Sequence, residues 1–167
     1  MKIALAQLNL IIGDFDGNTA KMCDRIRQAR AQGADLIVFP ELALCAYPPR
    51  DFLEFPDFIT QCQDALQRVA EACTGITAIV GLPTPNPELS GKNLFNSAAV
   101  VRDGKIIDTV HKALLPTYDI FDEYRYFEPN RKFHGIDIAG TRIALTICED
   151  LWNIDDDPMY KIGRAHV

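Results

Sequence analysis

The sequence predicts an α/β protein built on a mixed β-sheet. Three observations carry this. Short apolar runs recur along the chain with strand-like length, and two longer segments instead place apolar residues at helical spacing. The dipeptide Asp103-Gly104 lies between two strand-like runs, which is a hairpin signal and gives antiparallel neighbours. Helical crossovers elsewhere give parallel ones, so the sheet mixes both directions.

The elements follow in order. Ile3–Leu8 reads as a first strand, and Asn18 is expected to cap a helix running to about Gln32, with Cys23, Ile26 and Ala29 on one face and Gly33 as the stop. Residues 34–39 form a short apolar run interrupted only by Asp35, which suits a strand covered on both faces and ends at Pro40-Glu41. Tyr47-Pro48-Pro49-Arg50-Asp51 is loop chemistry. From about Asp57 to Cys73, the apolar residues Ile59, Cys62, Leu66, Val69 and Cys73 predict a second helix, stopped by Gly75. Ile76–Leu82 is the next strand, and 83–92, with three prolines and a glycine, is a surface loop. Leu94–Arg102 and Lys105–His111 make the hairpin, 116–132 an ordered loop, and Phe133–Ile138 with Arg142–Ile147 a second strand pair around Gly140-Thr141. Cys148-Glu149-Asp150 closes it.

Composition narrows the function classes. Of 167 residues, 48% are hydrophobic and 24% charged, ordinary for a folded globular chain and wrong for disorder or collagen. The net charge of -6 and the lack of a Lys/Arg cluster argue against nucleic acid or an anionic membrane as partner. Gln7 and Asn9 interrupt the apolar residues 3–12, so a buried strand fits them better than a signal peptide, and a cytoplasmic protein is expected. The five cysteines are scattered and odd in number, without C-x-x-C, which disfavours a disulfide framework or a zinc site. His111 and His134 have no partner at metal-ligand spacing and are expected to be structural; Asp155-Asp156-Asp157 lacks calcium-loop spacing and reads as a solvated turn.

Three polar residues stand at the ends of apolar strands: Glu41, Lys112 and Cys148. Strand ends are where side chains leave the core for a cleft. A carboxylate, an ammonium and a thiol in one cleft would make a covalent acyl-transfer site. A thiol with a pKa near ~8.5 is mostly protonated at neutral pH and needs a base or a cation beside it. Glu41 could take the proton, Lys112 could stabilise the thiolate and the developing oxyanion, and the backbone N–H of Glu149 could be a second oxyanion donor.

These residues sit in blocks that resemble the nitrilase, or carbon–nitrogen hydrolase, superfamily: Phe39-Pro40-Glu41, then His111-Lys112 with Leu115-Pro116, then Cys148-Glu149-Asp150-Leu151-Trp152. The resemblance implies a four-layer α-β-β-α sandwich, incomplete at the carboxyl end of this chain, and a Glu-Lys-Cys triad on Glu41, Lys112 and Cys148. Tyr47–Leu53, Lys112–Glu123 and Cys148–Asn153 resemble, more narrowly, the amino-terminal glutaminase domains of glutamine-dependent NAD⁺ synthetases. That likeness implies that Tyr118 contacts glutamine, that Glu123 orients Lys112, and that the freed ammonia serves ATP-dependent amidation of nicotinic acid adenine dinucleotide. It implies a homo-oligomeric parent protein. No cofactor is expected in these residues, which hold no G-x-x-x-x-G-K loop; ATP and Mg²⁺ are expected in a separate synthetase domain.

Residues 1–160 are accordingly expected to be a partial glutaminase domain, and 161–167, which show neither periodicity nor a cap, a non-native tail. Two other readings stand beside this one: a free-standing nitrilase-family amidase, and a non-catalytic fragment whose exposed sheet edge pairs with other chains.

Overall fold

A computed structural model describes residues 1–152. The expected non-native tail 161–167 and the Asp155-Asp156-Asp157 turn lie outside the described residues. Seven strands and two long helices follow one another as β1 (Ile3–Leu5), α1 (Phe15–Ala31), β2 (Leu36–Val38), α2 (Pro56–Ala72), β3 (Thr77–Pro85), β4 (Leu94–Arg102), β5 (Lys105–His111), β6 (Gly135–Ile138) and β7 (Thr141–Ala144). Short 3₁₀ turns occupy Arg50–Glu54, Glu123–Arg125 and Cys148–Trp152.

The first five strands form one sheet in sequence order. β1, β2 and β3 run parallel, joined through the helices, while β3, β4 and β5 run antiparallel, so the sheet is mixed as expected. β6 and β7 form a separate antiparallel pair. Side chains alternate across the sheet. Ile37, Ala78, Val80, Ala99 and Val101 face α1 and α2. Leu36, Ile79, Ala98 and Val100 face Ile136 and Ile138 of the second pair. The described residues therefore supply three successive layers, α-β-β.

Both helices bury one stripe. Phe15, Met22, Ile26 and Ala29 of α1 and Phe58, Cys62, Ala65, Leu66 and Val69 of α2 keep three- and four-residue spacing. The hairpin turn uses Asp103 and Gly104 at φ +49° and +77°, the left-handed pair that a two-residue turn requires. Asp103 Oδ1 accepts from Gly75 N at 2.7 Å, which ties this turn to the end of α2.

Several boundaries differ from the sequence expectation. Asp14, not Asn18, caps α1: its carboxylate accepts from Gly17 N at 2.9 Å. Asn18 lies inside the helix, fully buried, and its amide binds Ile11 N, Ile11 O and Leu44 O. Strand β1 stops at Leu5, and Ala6 N gives the last rung to Val38 O, the end of β2, at 2.9 Å. Strand β3 continues through Pro83 and Pro85, which were expected in a loop. The carbonyls of Ile79 and Gly81 point to the β2 side, where they accept from Phe39 N and Leu44 N. Pro83 and Pro85 face the same way but lie past the end of β2, so their missing N–H groups break no ladder. The second hairpin turns at Ala139-Gly140 rather than Gly140-Thr141, with φ +49° and +76°.

Candidate active site

Glu41 leaves the sheet three residues after β2. Phe39 N donates to Ile79 O at 3.0 Å and Leu44 N to Gly81 O at 3.2 Å, so the intervening turn lies flat over β3. Leu42 takes φ +49° in this turn. Gly81 makes the approach possible, because a Cβ there would stand 2.4 Å from Leu42 N and 2.5 Å from Pro40 O. Lys112 follows β5 directly and extends its ladder: Lys112 N donates to Asn96 O of β4 at 2.8 Å. Glu123 comes from the aromatic loop, anchored by its own N–H to Pro116 O at 3.0 Å.

These elements converge on the Lys112 ammonium, which is fully buried. Its Nζ donates to Glu41 Oε1 at 2.6 Å and to Glu123 Oε1 and Oε2 at 2.9 and 2.8 Å. Asn96 Nδ2 donates to Glu41 Oε1 at 2.6 Å and to Glu123 Oε2 at 3.3 Å. Tyr47 OH donates to Glu123 Oε1 at 3.0 Å. Burial by itself pulls the Lys112 ammonium down, but the Glu41 and Glu123 carboxylates outweigh it and hold the group above the usual lysine range. Burial, with the Glu41 charge, raises Glu123 even though Lys112 and Tyr47 oppose the shift.

Cys148 opens the last 3₁₀ turn, four residues after β7, at φ +48° and exposed. Asp150 holds this turn against the lysine segment. Its Oδ1 accepts from Ala113 N at 3.0 Å and Leu114 N at 2.8 Å, and its Oδ2 from Ile147 N at 3.0 Å. Partial desolvation raises the exposed Cys148 thiol; the Glu41 charge adds to this, while Lys112 draws it the other way. A thiol raised in this way stays protonated at neutral pH.

Glu41, Lys112 and Glu123 are joined by direct contacts, and Cys148 lies within reach of their charges. Tyr118 and Glu149 lie outside the buried group, where Tyr118 OH donates to Glu149 Oε2 at 2.9 Å. His111 is structural: its ring stacks on Phe95 at 4.2 Å and its Nδ1 lies 2.7 Å from Ser97 Oγ. Sequence reasoning missed Tyr47, Gly81, Asn96 and the tethering role of Asp150. A lone asparagine or glycine in an apolar strand was the available signal, and it points nowhere without the neighbouring strand.

The carbon–nitrogen hydrolase family model matches residues 2–156. This chain belongs to the carbon–nitrogen hydrolase family. It is 48% identical over 155 residues to the glutamine-dependent NAD(+) synthetase of Synechocystis sp., covering 90% of this chain and 28% of that relative. The solved structure of glutamine-dependent NAD+ synthetase from Acinetobacter baumannii superposes with a TM-score of 0.84 at 38% identity, over 91% of this chain and 28% of that one. This chain thus spans little more than a quarter of the length of these relatives. An amidase from Nesterenkonia sp., at 23% identity and TM-score 0.76 over 90% of this chain and 56% of its own, shares the fold. The nitrilase fold expected from the signature blocks is therefore the one observed.

Proposed function

We propose that this chain is the glutaminase part of a glutamine-dependent NAD⁺ synthetase, with Cys148 as nucleophile, Glu41 as general base and acid, and Lys112 as electrostatic stabiliser. The observation that carries the proposal is the Glu41–Lys112 ion pair at 2.6 Å, whose charges act on the Cys148 thiol. Similarity to synthetases along most of the chain supports the choice of glutamine over other amides.

The chemistry follows from the charges. A thiol with a raised pKa is a poor nucleophile until its proton leaves, and in this proposal Glu41 takes it. Sγ then attacks the side-chain amide carbon of glutamine. The carbonyl oxygen gains negative charge beside the Lys112 ammonium and the Glu149 backbone N–H. Collapse breaks the C–N bond, Glu41 returns the proton to nitrogen, and ammonia leaves a thioester on Cys148. Water attacks the thioester with Glu41 again accepting a proton, releasing glutamate and restoring the thiol. Tyr118 and Glu149 are proposed to bind the substrate at the rim. Glu123 keeps Lys112 in line. ATP and Mg²⁺ would serve the later amidation on residues outside this chain.

The test uses the full-length protein that carries this chain. Cys148→Ala should abolish NAD⁺ formation from glutamine, since Glu149 and Asp150 are weak nucleophiles at an amide. Ammonium salt should restore it, with ATP and the deamido dinucleotide supplied. Full activity of the variant on glutamine removes Cys148 from the mechanism. A wild-type protein that forms no NAD⁺ from either nitrogen source points to a free-standing amidase instead.

A further inference from the structure

The group around Lys112 contains two carboxylates, Glu123 buried and Glu41 partly so, and one ammonium. Lys112 compensates one negative charge and leaves the other, so a proton shared by Glu41 and Glu123 would relieve the repulsion. A Glu41 that carries such a proton cannot accept one from Cys148. Something besides Lys112 must favour the doubly ionised state.

Asn96 is placed to do so. Its one amide nitrogen donates to both carboxylates, at 2.6 Å to Glu41 Oε1 and 3.3 Å to Glu123 Oε2. The reverse amide orientation would set its carbonyl oxygen against two carboxylate oxygens at those distances, so the donor assignment follows from the chemistry. The other half of the side chain does nothing for the fold: Asn96 is fully buried and Oδ1 has no hydrogen-bond partner. An unpaired buried acceptor is unfavourable, and a leucine of similar size would avoid it. What asparagine supplies here is the donor pair. Its location is fixed by the ladder, because Asn96 O accepts from Lys112 N across β4 and β5.

We infer that Asn96 is a positioning residue that keeps Glu41 and Glu123 ionised together around Lys112, and so sets the lower pH limit at which Glu41 can activate Cys148. The inference rests on the glutaminase reading above. The titratable groups facing the pair are Lys112 after β5, Tyr47 from the loop after Glu41, and Cys148 from the last 3₁₀ turn. Tyr47 is raised, mainly by burial and then by Glu123, and stays a neutral donor across the range of the test. Lys112 stays charged for the reason already given.

The experiment compares wild type, Asn96→Leu and Asn96→Ser in the full-length protein. In Asn96→Leu the acid limb of kcat/KM for glutamine hydrolysis should move upward by about one pH unit, so that activity near the wild-type limb falls about tenfold and returns as pH rises. Asn96→Ser retains one donor and should lie between. NAD⁺ formation from ammonium should not change, which separates the effect from a general loss of folding. A uniform drop at every pH, or an unmoved limb, overturns the inference. Iodoacetamide alkylation of Cys148, followed by mass spectrometry against pH, reads the same group without substrate. If the wild type hydrolyses no glutamine, the functional reading falls; an alkylation limb shifted in Asn96→Leu then still supports the role of Asn96, and an unshifted one overturns it.

Discussion

Gly81→Ala should cripple glutamine hydrolysis although it adds only a single methyl group. The new Cβ would lie 2.4 Å from Leu42 N, 2.5 Å from Pro40 O and 2.9 Å from the carbonyl carbon of Glu41, all backbone atoms that no rotamer change can remove. An ordinary contact begins at 3.4 Å, so the two segments must part by about 1 Å. Strand β3 is held along its length by β4, so the turn carrying Glu41 is the part that yields. That turn aims Glu41 Oε1 at Lys112 Nζ and Asn96 Nδ2, both at 2.6 Å. A displacement of this size in a positioned group typically costs about 10²-fold in rate, and overpacking of this kind costs about 1–3 kcal/mol of stability. The assay is glutamine hydrolysis by the full-length protein, with urea unfolding and ammonium-dependent NAD⁺ formation measured on the same preparation. The expected result is kcat down by about two orders of magnitude with KM little changed and ammonium-dependent synthesis retained. Wild-type kcat on glutamine would refute the claim that Gly81 sets the position of Glu41.

Two further outcomes are expected. Lys112→Met preserves length and removes the charge, so thioester formation should fall by about 10²–10³ as one oxyanion stabiliser is lost; near-normal turnover, measured by single-turnover thioester accumulation, would exclude Lys112 from the reaction. Asp150→Ala removes the acceptor for Ala113 N, Leu114 N and Ile147 N and should cost about 2–3 kcal/mol in chemical denaturation while loosening Cys148; a variant with wild-type stability and full glutaminase rate would show that this tether is dispensable.

The sequence by itself determined what local energetics decide. Asp103-Gly104 specified a two-residue turn because its conformation has φ > 0 at both positions. The three- and four-residue spacing of Ile59, Cys62, Leu66 and Val69 specified the buried face of α2, because helix geometry places those side chains on one stripe. Glu41, Lys112 and Cys148 were legible as polar ends of apolar runs, and the signature blocks around them placed the chain in its family. The capping assignment failed: Asn18 has the chemistry of a cap, but its amide is taken up by the Ile11 and Leu44 backbone, and Asp14 caps the helix instead.

Tertiary structure alone decided how the site is assembled. Glu41 and Lys112 are 71 residues apart, and Glu41 and Asn96 are 55 apart. No periodicity or propensity reports a contact at that range. Asn96 is a polar interruption in β4 until β5 brings Lys112 beside it, and Gly81 is an unremarked glycine in β3 until the turn after β2 crosses it within van der Waals reach. Asp150 reads as part of a signature block, yet its three backbone partners lie in two separate segments. The doubly bridged carboxylates have the same origin. The donors that bridge them come from β4 and from the residue after β5, contacts that exist only once the sheet has closed around them.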